Sequence, residues 1–165
     1  MPKRLRLLPL CAAALLACAG TLTAEPARED SFYRVRWVRV EELPRTLAPG
    51  ETVRALVTIR NAGPGIWPDA QMADPAGLTA ARAIRLSYRW WEGDREVLLA
   101  DYTTRSDLPW PLRPGETITL PLRVEAPGQP GRYRLQLDLV EELVGWFESR
   151  GAGRWITPVE VRPQS

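Results

Sequence analysis

Tryptophan and the paired acids are the side chains here whose types and spacing could do chemistry. Tryptophans stand at 37, 67, 90, 91, 110, 146 and 155. Trp67, Trp110 and the pair Trp146-Phe147 fall outside or at the ends of the alternating apolar runs. Rings exposed there would stack on sugars or seat a partner's apolar side chain. Alternatively they cap the core under long loops, each indole N–H bonded to backbone. Two carboxyl groups suffice for glycoside hydrolysis, and Glu41-Glu42 and Glu141-Glu142 are the doublets. Neighbours in a strand point to opposite faces, so neither doublet is a facing pair, and both are expected as solvated strand ends. Asp69 and Asp74 could offer oxygens to calcium, without EF-hand spacing.

Other chemistries are excluded by composition. The chain has no histidine, and its two cysteines, Cys11 and Cys18, both precede residue 19. Zinc sites of the usual kinds and histidine-based triads cannot be built. Lys3 is the sole lysine, and the serines at 31, 87, 106, 149 and 165 form no nucleophile elbow. Gly63-Pro64-Gly65 reads as a turn, since no lysine follows to hold a phosphate. No catalytic residue, metal or cofactor is therefore expected.

The elements that must position these residues are short runs with apolar period two, bounded by Pro and Gly. That pattern predicts a half-buried antiparallel sheet, with strands over 32–40, 52–60, 84–91, 96–100, 117–125, 133–140 and 155–161, and no helix. In the first, Tyr33, Val35 and Trp37 share one face while Val38 and Val40 take the other, which predicts a bulge or a change of sheet. Residues 92–95 form a hairpin turn. Pro121 falls on an outer face and cannot donate to a ladder, so its strand should have a free edge or a bulge. Leu47-Ala48-Pro49-Gly50-Glu51-Thr52-Val53 is echoed by Leu112-Arg113-Pro114-Gly115-Glu116-Thr117-Ile118. Each copy is a Pro-Gly turn launching a strand, and the two strands are expected to be neighbours.

About seven antiparallel strands describe an all-β, immunoglobulin-like sandwich over 32–162, with a frayed tail at 163–165. Trp90 is expected as its core tryptophan and Tyr133 as a tyrosine corner, both structural. In that topology the loops carrying Trp67, Trp110 and Trp146-Phe147 would meet at one end.

Lys3, Arg4 and Arg6 precede an apolar run over 7–17, too short to span a bilayer. Leu15-Leu16-Ala17-Cys18 resembles the bacterial lipobox. The resemblance implies that 1–17 is a signal peptide and that Cys18 is acylated as the first mature residue, with 18–31 a polar tether. Membrane attachment would then run through the lipid on Cys18, with the outer membrane's periplasmic face as the expected location. Cleavage near Ala24 would instead give a soluble secreted or periplasmic form. Removing three of the 22 basic residues leaves 19 against 20 acidic ones. A near-neutral domain with scattered arginines has no evident footprint for nucleic acid or anionic lipid.

The order Asn61-Ala62-Gly63, Trp67-Pro68, Leu112-x-Pro114-Gly115-Glu116, Ala126-Pro127, Pro130-Gly131-x-Tyr133 and Trp146-Phe147 resembles the four-tryptophan (FW) immunoglobulin-like domain. Residues 85–90, with 138–142, also resemble modules attached to bacterial surface-polysaccharide glycosyltransferases and methyltransferases. These resemblances imply a non-catalytic envelope module, in which the tryptophans are largely structural. It would bind a surface glycan or, through a sheet edge, an envelope protein.

Overall fold

The computed structural model describes residues 28–77, 79, 81–99 and 104–163. The expected signal peptide, Cys18, most of the tether, Ala100 and the last two residues lie outside the described residues. Strands are β1 (Val35–Glu41), β2 (Thr46–Leu47), β3 (Thr52–Asn61), β4 (Ile84–Glu92), β5 (Arg95–Val97), β6 (Ser106–Asp107), β7 (Thr117–Glu125), β8 (Gly131–Glu141), β9 (Gly145–Trp146) and β10 (Trp155–Val161).

They form two sheets, one in the order β1-β3-β7 and one in the order β2-β10-β8-β4-β5, with β6 on β4 and β9 on β8. Long neighbours are antiparallel, while β2 runs parallel to β10. This is an immunoglobulin-like sandwich, as the alternation predicts. Each of the seven expected strands is present; β2, β6 and β9 are two-residue additions.

The parity flip in the first strand is resolved by a bulge between Trp37 and Arg39. Trp37 opposes Ile59 and Val40 opposes Val57, so both face the core, while the extra residue, Val38, stays 50% exposed. Residues 32 and 33 are not strand, however. Asp30–Tyr33 is a 3-10 turn, and Arg28 is already tied to Glu141, so the domain begins inside the expected tether. One helical turn, Ala70–Ala73, breaks the all-strand expectation. Asp69 caps it by accepting from Met72 N at 2.8 Å.

The echoed turns are copies in space as well as in sequence. Gly50 and Gly115 have φ of +69° and +82°, the left-handed values that favour glycine. Glu51 Oε2 accepts from Ala48 N at 2.7 Å, and Glu116 Oε2 from Arg113 N at 2.8 Å. The turns launch β3 and β7, which pair without interruption from Thr52↔Glu125 to Arg60↔Thr117. As expected, β7 is an edge strand; Pro121 O on it accepts from Ser106 Oγ at 2.5 Å.

Between the sheets lie the predicted inward residues. Trp90, 1% exposed, donates its indole N–H to Glu125 O at 2.8 Å and meets Tyr88 and Tyr133 edge-on. Tyr133 donates to Gln129 O four residues upstream at 2.9 Å, the hydrogen bond of a tyrosine corner.

Candidate functional site

The loop aromatics do not make an open surface. Trp67 is 0% exposed and donates Nε1–H to Phe32 O at 3.1 Å. Phe147, also buried, packs edge-on against Trp67 (5.3 Å) and Tyr33 (5.0 Å). These rings seal one end of the sandwich, so ligand contact by Trp67 and Phe147 is corrected to a core role. The physical reason is apolar area: a loop crossing the end of a sandwich must cover it. Trp110 is 53% exposed, just beyond the Trp67↔Leu112 bridge. Trp146 lies elsewhere, on the outer face of the larger sheet, opposite Val140.

Asn61 explains the Asn-Ala-Gly motif. Its amide donates to Gly65 O (2.8 Å) and Leu112 O (2.9 Å), and its Oδ1 accepts from Gly63 N (2.9 Å). Gly63 is obligatory there, because a Cβ would stand 2.4 Å from Phe32 O. The motif builds the buried end.

The acidic residues depart furthest from expectation. Glu141 is wholly buried, accepting from Tyr33 OH at 2.6 Å and pairing with Arg28 and Arg82, each at 3.1 Å. Glu142 pairs with Arg105 at 2.9 Å and Arg85 at 3.7 Å. The solvated-strand-end reading of this doublet is corrected: the turn after β8 and the segment entering β1 fold over it. Burial and Glu141 raise the Tyr33 hydroxyl to about pKa 12. Asp69 and Asp74 direct carboxylate oxygens at backbone N–H groups, Asp74 at those of Ala76 and Thr79.

The chemistry gathers on the outer face of the larger sheet. Alternation turns Arg85, Ser87, Arg89 and Trp91 of β4 outward, beside Val140, Asp138, Gln136 and Arg134 of β8. The segment after β9 crosses this face and brings Glu148 onto Arg89, Gln136 and Arg154. Arg89 lies over Trp146 at 4.6 Å and Trp91 at 5.6 Å, and Arg105 covers Trp146 at 5.2 Å. Arginines and indoles thus alternate across the sheet, held by cation–π attraction.

Asp138 sits beneath this ladder, fully buried. Burial raises its carboxyl to about pKa 7, against the opposing pull of the Leu139 N–H, Arg89 and Arg154. Its Oδ1 accepts from Leu139 N at 2.8 Å, and its Oδ2 lies 3.4 Å from both Arg89 Nη2 and Glu148 N.

Beside the ladder opens a cleft of about 250 Å³ lined by Trp91, Asp94, Arg134, Gln136, Arg154 and Ile156. An indole wall, an aliphatic side chain and planar N–H donors suit a sugar ring, whose C–H face stacks while its hydroxyls take the donors. Asp138 and Glu148 are not among the lining residues, and both are engaged by arginines; the acid lining the cleft is Asp94. Trp91 was legible in outline: with Trp90 inward, its neighbour on a central strand must point out. The crossing of residues 145–154 over the face left no periodic signal.

No family model and no curated protein matches the chain. Among solved structures it is similar to part of the β-glucosidase from Listeria innocua, at 15% identity and TM-score 0.45, over 79% of this chain and 16% of that one. It is similar to the CARDB domain of a Pyrococcus furiosus protein, at 14% identity and TM-score 0.42, over 78% and 92%. A cycloisomaltooligosaccharide glucanotransferase from Paenibacillus matches at 14% identity and TM-score 0.44, over 79% and 14%. The chain thus spans about a sixth or less of the two enzymes it resembles in part. Such similarity assigns no activity, and the functional reading rests on this chain's own residues.

Proposed function

We propose that this chain is a non-catalytic binding module of the bacterial cell envelope, of the four-tryptophan immunoglobulin-like type that its motifs resemble. It is anchored by acylation of Cys18, and its ligand is a surface glycan. The observation that carries the glycan reading is the Trp91 cleft, where an indole, Ile156 and the donors of Arg134, Gln136 and Arg154 converge. The glycan site thereby moves from the loop tryptophans to the sheet face. Binding on an array of bacterial surface polysaccharides should fall at least about tenfold in Trp91→Ala, the loss of one stacking anchor. Trp110→Ala should bind as wild type. Equal binding by Trp91→Ala, or loss confined to Trp110→Ala, would sink the cleft reading.

A second reading, a protein partner adding a strand at β7, is favoured by that strand's open-edge position. Crosslinking from a photoreactive residue at Thr119 in intact cells would capture a specific envelope protein on this reading, and none on the glycan reading.

A further inference from the structure

The outer face of the three-stranded sheet collects what the sequence scatters. Arg36 and Arg39 of β1, Arg54 and Arg60 of β3 and Arg123 of β7 all point outward and are exposed. Arg36 stands directly opposite Arg60, and Arg54 directly opposite Arg123. Like charges placed so destabilise a sheet. Among the described residues these four arginines have no hydrogen-bond or ion-pair partner. The acids on the face are Glu41, paired with Arg39 at 2.9 Å, and Glu125, opposite Thr52 at one end. The face therefore carries a net charge of about +3, five arginines less two glutamates.

Its shape narrows the partner. The two arginine pairs stand six positions apart along β3, roughly 20 Å at strand rise. Between them lie the opposed Leu56 and Pro121, with Val38 exposed by the bulge alongside. Beside the second pair opens a groove of about 430 Å³, with Thr52, Arg54, Ser106 and Arg123 among its lining. Cations spread over three strands with apolar side chains among them match a flat anionic surface better than one linear chain.

We propose that this face docks on an anionic phospholipid bilayer, the arginine pairs holding headgroup phosphates. The two sheets' outer faces point away from each other, so docking directs the Trp91 cleft outward from the membrane. The inference needs neither acylation of Cys18 nor glycan binding, and it fails or stands separately from both.

The test is arginine-selective labelling with phenylglyoxal, read by mass spectrometry, on the mature protein as the cell processes it. Vesicles of one part phosphatidylglycerol to two parts phosphatidylcholine are compared with phosphatidylcholine alone. Arg36, Arg54, Arg60 and Arg123 should be labelled about fivefold or more slowly on the anionic vesicles, the gain expected of an arginine at such a surface. Arg132 of β8 and Arg162, just past the end of β10, should be labelled equally on both. Protection should vanish at roughly 0.5 M salt, where screening shortens to a few ångströms. Equal labelling on both vesicles would overturn the proposal. So would protection by soluble dextran sulphate but not by anionic vesicles, which assigns the face to a linear polyanion.

Discussion

At the scale of single residues, the strongest constraints come from backbone contact and from buried charge. Gly63 has no room for a methyl group, because Phe32 O would lie 2.4 Å from its Cβ. Gly115 has a positive φ, but its Cβ would meet nothing nearer than an arginine tip at 3.5 Å. Gly63→Ala should therefore cost about 2–3 kcal/mol in urea unfolding, by forced backbone displacement. Gly115→Ala should cost about 1 kcal/mol, by conformational strain alone. Asp138 gives a pH signature. Its folded pKa of about 7 lies above the unfolded value, so the native state holds the proton longer. The contribution of Asp138 is then most favourable below about pH 4, falls as pH rises to about 7, and is flat above, with a slope of at most about 1.4 kcal/mol per pH unit. The stability difference between wild type and Asp138→Asn, measured from pH 4 to 8, should follow that fall. A difference that grows with pH would show that the fold prefers the ionised carboxylate.

At the scale of elements, the period-two pattern carries nearly all the information, and irregularities have local causes. Val38 is the extra residue of the bulge, and its neighbours pair with β3 as though it were absent. Deleting Val38 leaves Trp37 and Val40 two apart and both inward, so it should change unfolding free energy by no more than about 1 kcal/mol. Deleting Leu122 from β7 turns every later inward residue of that strand outward. Circular dichroism should show that variant unfolded while the Val38 deletion keeps native signal. The Pro-Gly turns were legible for the same reason: proline, glycine and glutamate specify a local hydrogen-bonded shape without help from the rest of the chain. What lay beyond the pattern was Asp30–Tyr33, whose Phe32 and Tyr33 read as strand but serve the buried aromatic end.

At the scale of the whole molecule, the two sheets give the domain two chemically different outer faces. One is a cation–π ladder ending in a cleft, and the other is a field of exposed arginines, most of them unpaired. Net charge near zero concealed this, because composition averages over faces. The aromatic residues divide similarly. Trp67 and Trp90 are sealed in, while Trp110 is open. Iodide quenching should thus fall in Trp110→Phe and stay unchanged in Trp67→Phe, with the protected emission remaining blue. A fall in quenching in Trp67→Phe as well would mean that the aromatic end opens in solution.

The sequence by itself determined the sandwich, its seven main strands, the parity break in the first of them, the two turns, the core tryptophan and the tyrosine corner. Each follows from side-chain periodicity or from the conformational limits of proline and glycine, which act over a few residues. Only the tertiary structure decided that Glu141 and Asp138 are buried, that Trp67 and Phe147 seal an end, and that Arg36 meets Arg60 and Arg54 meets Arg123. Those outcomes depend on which segment crosses which face, and alternation marks inside and outside of a strand without telling what folds over it.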